Sequence, residues 1–75
     1  MEKHIVQLIE IRKELVISEN FTTAKARFLN YVQTDTVLYN LFLDGSEYAY
    51  ILEDLITSDD IRKEIDSLIN RMKSN

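Results

Sequence analysis

The chain has 75 residues, of which 45% are hydrophobic and 29% are charged, and its formal net charge is −4. This length predicts a single domain over residues 1–75, and the lack of cysteine with only one histidine excludes disulfides, thiol nucleophiles and zinc-binding patterns. Charged residues also interrupt every apolar run before membrane-spanning length. We expect a cytoplasmic protein with no metal, no cofactor and no membrane contact.

The first predicted helix covers residues 3–17 and has a wide apolar arc. The apolar residues at helical spacing are Ile5, Leu8, Ile9, Leu15 and Val16, and the arc is extended to about 240° by Val6, Ile11 and Ile17. Arg12 projects from the middle of this arc, and we expect it to reach water at an edge or, if buried, to pair with a carboxylate, which a second chain would supply in a dimer. This helix is therefore either central in the fold or shared with another copy, and the candidate self-association residues are Ile5, Leu8, Arg12 and Leu15.

A second helix is predicted at about residues 21–33. Ser18 and Glu19 break the first pattern, Asn20 or Thr22 is a suitable N-cap, and the apolar face that follows is helical in spacing. The next helix is predicted to begin after a cap at Thr34 or Asp35.

The segment at about 36–52 allows two interpretations. Its apolar runs flank Asp44 and Gly45, a pair typical of hairpin turns, which gives the alternative of an α+β fold with a hairpin there. We prefer two helices, with Gly45 in the left-handed position that ends the first and Ser46 capping the second. The second helix then has a continuous apolar face, which consists of Tyr48, Ile51, Leu52, Leu55 and Ile56.

The last helix is predicted with the strongest signals. Thr57 or Ser58 caps it, acidic residues occupy its first turn and basic residues its last, in agreement with the helix dipole. Its apolar stripe is only about 100° wide and consists of Ile61, Ile65, Leu68, Ile69 and Met72. Two ion pairs are expected at i, i+4 spacing, Asp59 with Lys63 and Arg62 with Asp66. Short connections between helices predict an all-α protein, a compact four- or five-helix bundle.

The chain has no recognisable catalytic pattern. His4 is expected to be a solvated or edge histidine, and neighbouring carboxylates in the sequence point to different sides of their helices. We therefore predict that the protein is not an enzyme.

A DNA-binding domain of the helix-turn-helix type is a weaker alternative. Residues 22–43 have the required pair of helices, but the second helix contains no lysine or arginine. Only Thr36, Asn40 and Asp35 are suited to read base edges there. Charge therefore argues against nucleic acid as the partner.

The segment from Phe28 to Ile61 contains neither lysine nor arginine, although it includes seven acidic residues and all four tyrosines. A helical wheel places Tyr50 on the polar face, with Glu47, Glu53 and Asp54 within one turn of it. A large aromatic ring among carboxylates suits a partner that bears lysine or arginine. Tyr39, on the preceding helix, either extends this patch or closes the core.

Two functional hypotheses lead. The first is a small non-enzymatic protein-binding regulator, of the inhibitor, antitoxin, immunity or adaptor type, which presents this acidic, tyrosine-bearing face to a basic partner surface. The second is an obligate helical homodimer with a structural role, buried along the first helix. The tyrosines Tyr31, Tyr39 and Tyr48 also fit a simpler interpretation as core-edge residues, which Tyr50 fits least well.

Overall fold

The computed structural model describes residues 2–17 and 20–74, with the backbone alone described at residues 16 and 17. The predicted break at Ser18 and Glu19 lies outside the described residues. Within these ranges the chain forms five α-helices and no strand, namely α1 Glu2–Ile17, α2 Phe21–Val32, α3 Thr36–Leu43, α4 Tyr48–Asp54 and α5 Ser58–Ser74. The all-α prediction is confirmed, and the alternative hairpin at about 36–52 is wrong.

Short polar side chains fix where three of the helices begin. The side chain of Asn20 accepts a hydrogen bond from the backbone N–H of Thr23, and Asp35 accepts one from Leu38 at 2.9 Å. At α5, the hydroxyl of Thr57 accepts from the N–H of Asp60, whose carboxylate accepts from the N–H of Thr57 at 2.8 Å. This reciprocal pair is a capping box with aspartate as its second member, and it assigns the cap to Thr57.

The start of α4 differs from the prediction. Gly45 has a φ of 80°, the left-handed conformation predicted for the residue that ends α3, and Asp44 before it is left-handed as well, with a φ of 48°. The backbone N–H of Ser46 then donates to the carbonyl of Leu43, which uses Ser46 to close the turn. The N-cap position therefore falls on Glu47, whose side chain makes no capping hydrogen bond.

The core lies where α5 packs against α1 and α3, while α2 closes it from the other side. All five residues of the predicted α5 stripe are buried, and the rings of Phe28 and Phe42 meet edge to face at 5.6 Å. The buried residues of this core are Leu8, Ile11, Leu15, Ala24, Phe28, Val32, Leu38, Phe42, Leu55, Ile61, Ile65, Leu68, Ile69 and Met72. These residues form one cluster, to which α1, α2, α3 and α5 contribute buried side chains. Leu55, the residue just after α4, is also a member.

Several apolar residues from predicted apolar faces lie outside this core, among them Val37 on α3, which is 59% exposed. Val6 and Ile9 are 54% and 40% exposed, so the described apolar side chains of α1 are not all covered by the rest of the chain. Ile56 is 70% exposed because α4 ends at Asp54, before the helical face can reach it. The prediction of Ile56 as a member of the apolar face is wrong.

Candidate protein-binding surface

Tyr50 lies in the middle of the short helix α4. Of the four tyrosines, all of them within the described residues, Tyr50 alone is exposed, at 62%. Tyr48 and Ile51 on the same helix pack against the core, and Leu55 beyond its end is buried. The inward side chains of α4 therefore anchor the helix and leave the Tyr50 ring directed to solvent.

Three exposed carboxylates lie within one helical turn of this ring. Glu47 and Glu53 are three residues away on either side, and Asp54 follows four residues after Tyr50. We call Tyr50 with these carboxylates the Tyr50 surface. Among the described residues, no ion pair involves any of the three carboxylates.

Most of the positive charges are engaged elsewhere in the fold. Six of the nine lysines and arginines form ion pairs with carboxylates that lie outside the Tyr50 surface. These six are Arg12, Lys13, Arg27, Arg62, Lys63 and Arg71. Lys25 donates instead to the backbone carbonyl of Leu55 at 2.8 Å. Among the described residues, no lysine or arginine therefore pairs with a carboxylate of the Tyr50 surface.

The side chain of Arg71, on α5, lies against the carboxyl-terminal end of α3. Its Nη1 donates to the carbonyl oxygens of Leu41 at 2.8 Å and Phe42 at 3.2 Å, and its other nitrogens lie near Glu64 and Asp44. A cation at this position satisfies carbonyls that a helix leaves unpaired at its end. Arg71 is thus committed to holding α3 against α5.

The pKa of Glu64, on α5, depends on the negative charges near this end of the bundle. Burial raises the pKa of Glu64, the charge of Arg71 opposes that shift, and the charges of Asp44 and Asp54 add to it. The charge of Asp54, on α4, therefore contributes to the raised pKa of Glu64 on α5.

Tyr39 does not extend the exposed patch. Its ring lies 6.0 Å from that of Tyr48 and 6.4 Å from that of Phe42, centroid to centroid, at the edge of the core. The hydroxyl of Tyr48 accepts a hydrogen bond from the side-chain amide of Gln33 at 3.2 Å. Tyr31, Tyr39 and Tyr48 all pack partly buried against the core, where the simpler interpretation placed them.

The predicted self-association residues do not form one exposed face. Leu8 and Leu15 are buried in the chain's own core, and Ile5 is partly buried against it. Arg12 is neither isolated nor dependent on a second chain, because its guanidinium donates to both carboxylate oxygens of Asp66 at 3.0 and 3.3 Å. The expected pair of Arg62 with Asp66 is therefore replaced, and Arg62 pairs with Asp59, which also binds Lys63 as predicted.

A second polar cluster escaped the sequence reasoning. A hydrogen bond of 2.7 Å joins His4 Nδ1 and the hydroxyl of Tyr31, and His4 Nε2 lies 3.6 Å from the carboxylate of Asp35. The backbone N–H of Leu38 is the main cause of a lowered pKa at Asp35, to which the neighbouring His4 also contributes. Burial and the charge of Asp35 raise the pKa of Tyr31. His4 is an edge histidine, as expected, but it is 19% exposed at the side chain and ties α1 to the start of α3.

The residues suited to DNA reading are only partly available. Thr36 and Asn40 are exposed on α3, whereas Asp35 is occupied by the cap of α3 and by His4. The turn between α2 and α3 spans residues 33–35, as the helix-turn-helix alternative requires.

Other openings on the molecule are shallow. A groove of about 500 Å³ runs between α1 and α2, with Gln7, Arg27 and Asn30 among its lining residues, and Arg27 in it is paired with Glu14. Among the described residues, no group of three histidine, cysteine or acidic side chains is placed to hold a metal ion. No helix in the described ranges combines the length and apolarity needed to cross a bilayer.

Comparison of the chain with protein-family models, with curated proteins and with solved structures finds no match. The surface chemistry of this chain is therefore the basis on which we propose its function.

Proposed function

We propose that the chain is a small non-enzymatic regulator, of the inhibitor, antitoxin, immunity or adaptor type, that binds a basic surface of another protein through the Tyr50 surface. The observation that carries the proposal is the 62% exposure of the Tyr50 ring among Glu47, Glu53 and Asp54, all exposed and all without an ion pair in the described part of the chain.

The tyrosine supplies the contact. A tyrosine ring brings a large apolar area at a small cost in conformational entropy, and its hydroxyl satisfies a polar partner at the rim of an interface. Tyrosine is also enriched among the residues that dominate binding energy. The core needs Tyr31, Tyr39 and Tyr48, but it does not need Tyr50, which leaves that ring free to bind.

The carboxylates select the partner. Unpaired negative charge around the ring attracts lysine and arginine, speeds association and repels acidic surfaces. The same charge repels nucleic-acid phosphates, which favours a protein partner over DNA. Binding of this kind weakens as salt screens the charges.

The experiment is affinity capture from the native cell with three baits. They are the wild-type chain, Tyr50→Ala, and Val37→Ala as a matched control that truncates another exposed apolar residue, 59% exposed on α3. The proposal expects a protein with a basic surface that the wild type and the control retain and that Tyr50→Ala loses. Equal capture by all three baits would refute it.

A further inference from the structure

The outer side of α1 carries a stripe whose residues the core leaves exposed. Glu2, Val6, Ile9 and Lys13 are spaced four, three and four residues apart, which places them along one line of the helix. We call these four residues the α1 stripe. Val6 is 54% and Ile9 40% exposed at its centre, and the two charged residues at its ends are exposed as well.

The order of residues in the α1 stripe makes it complementary to a second copy of itself that runs in the opposite direction. It runs acidic, apolar, apolar, basic from the amino end of the helix. Laid antiparallel against a second copy of itself, it places Val6 opposite Ile9 of the second copy and Glu2 opposite Lys13 of the second copy. A parallel arrangement would instead place equal charges opposite one another at both ends, which destabilises association.

The residues beside the α1 stripe agree with the antiparallel arrangement. Lys3 and Glu10 lie one position after Glu2 and Ile9, and in the antiparallel pair they face each other across the contact. Both are exposed, and Lys3 makes no ion pair among the described residues. Glu10 lies 3.5 Å from Lys13 on its own helix, an exposed pair that exchanges for the contacts across the dimer at little cost. Each of these contacts occurs twice, since an antiparallel pair of identical helices has two-fold symmetry.

We infer that the α1 stripe is a self-association surface, which joins two copies of this chain through antiparallel α1 helices. The occupant is a second copy because one stripe supplies both the apolar centre and the complementary charges at each end. Ile9 also borders a depression of about 530 Å³ between α1 and α5, which leaves room for Val6 of the second copy. The dimer goes beyond the proposed function and uses a different helix.

The dimer is weak. A contact between two single helices falls below the roughly 1,200 Å² buried in stable complexes. Leu8 and Leu15, which a tighter dimer would share between copies, already lie in the core of one chain. We expect dimers to be populated at about 100 µM and above, in the range of weak interfaces.

Sedimentation analysis across concentration tests the arrangement with Glu2→Lys, Lys13→Glu and the double swap. Each single reversal replaces attraction by repulsion at two symmetry-related pairs, which is expected to raise the dissociation constant about tenfold. The double swap restores opposite charges across the contact, and its dissociation constant is expected to return to within about threefold of the wild type. Circular dichroism of each variant verifies that α1 stays folded.

Mixing supplies a second readout. An equimolar mixture of Glu2→Lys and Lys13→Glu chains pairs opposite charges at every end, so it is expected to form mixed dimers more tightly than either variant alone. A monomeric mass for the wild type up to about 1 mM would overturn the inference, as would a dimer unaffected by single reversals or a swap that fails to restore association.

Discussion

Lys25 on α2 donates a hydrogen bond from its Nζ to the backbone carbonyl of Leu55, over 2.8 Å, and so holds the end of the helix that carries Tyr50. All seven residues of α4 are described, and none of them is fully buried. The helix is therefore held by the partly buried Tyr48 and Ile51, by buried Leu55 and by this lysine. The position of the Tyr50 surface depends on a small number of contacts.

Replacing Lys25 with methionine is expected to loosen α4 without unfolding the bundle. The substitution keeps most of the apolar stem but removes the donor to Leu55, which leaves the end of α4 less restrained. Amide hydrogen exchange is expected to accelerate in α4 and to stay unchanged in α5. Lys63→Met on the surface of α5 is the control, and equal acceleration by both variants would show that Lys25 has no special role.

Replacing Arg71 with methionine is expected to cost about 1.5–3 kcal/mol of unfolding free energy, because it leaves the carbonyls of Leu41 and Phe42 without their charged donor. Arg62→Met, which breaks a more exposed pair with Asp59, is expected to cost less than about 1 kcal/mol. Urea denaturation measures both, and equal losses would contradict the assigned role of Arg71.

The same Arg71 substitution has a pH dependence with a defined sign. The pKa of Glu64 is already raised by burial, and removal of the Arg71 charge raises it further. A raised pKa in the folded state gives stability that is full below the unfolded value and is lost as pH rises through the folded pKa. The destabilisation of Arg71→Met is therefore expected to be larger at neutral pH than in acid, and the reverse order would be inconsistent with the Glu64 contact.

The pKa of Asp35 reports on the contact with His4. The hydrogen bond from the N–H of Leu38 is the largest cause of the lowered pKa of Asp35. Of the remaining causes that lower this pKa, the charge of His4 is the largest. In His4→Ala, carboxyl carbon shifts in an NMR titration are expected to show the Asp35 pKa closer to its ordinary value. A lowered pKa contributes stability above the unfolded value that is lost as pH falls through the folded one, so His4→Ala has less of this acid-sensitive stability. An unchanged Asp35 titration would contradict the contact.

Signals close together in sequence predicted most of the fold. The α5 stripe and the caps at Asn20 and Asp35 involve residues within one or two helical turns, where side-chain spacing fixes geometry. The exposure of Tyr50 was predictable for the same reason, since its neighbours on α4 settle which side faces the core. The start of α4 was missed because two successive left-handed residues, Asp44 and Gly45, displaced the cap.

Contacts between distant residues were outside the reach of sequence patterns. Arg12 and Asp66 are separated by 54 residues, and His4 and Tyr31 by 27. Each of these side chains has several acceptable partners in the sequence, and only the packing of α1 against α5 and α2 selects one. For the same reason, the width of the apolar arc on α1 did not reveal which of its residues the core would leave exposed.

Tyr50 and Phe28 are expected to separate binding from folding. Tyr50→Ala truncates an exposed ring and is expected to change the unfolding free energy by no more than about 0.5 kcal/mol. Phe28→Ala empties a fully buried position against Phe42 and is expected to cost about 3–5 kcal/mol. Thermal denaturation compares them, and a large loss in Tyr50→Ala would mean that its ring serves the core.

The affinity of the captured partner for the purified chain is the most direct test of the Tyr50 surface. Titration calorimetry compares the wild type with Tyr50→Ala and with the carboxylate variant, which combines Glu53→Gln with Asp54→Asn. The control combines Ser67→Lys with Asn70→Lys, which makes the same change in net charge on exposed positions of α5. We expect Tyr50→Ala to weaken binding about 30-fold or more, and the carboxylate variant to weaken it and reduce its salt dependence, while the control stays close to wild type. Wild-type affinity in Tyr50→Ala, or equal weakening by the α5 control and the carboxylate variant, would contradict the proposal.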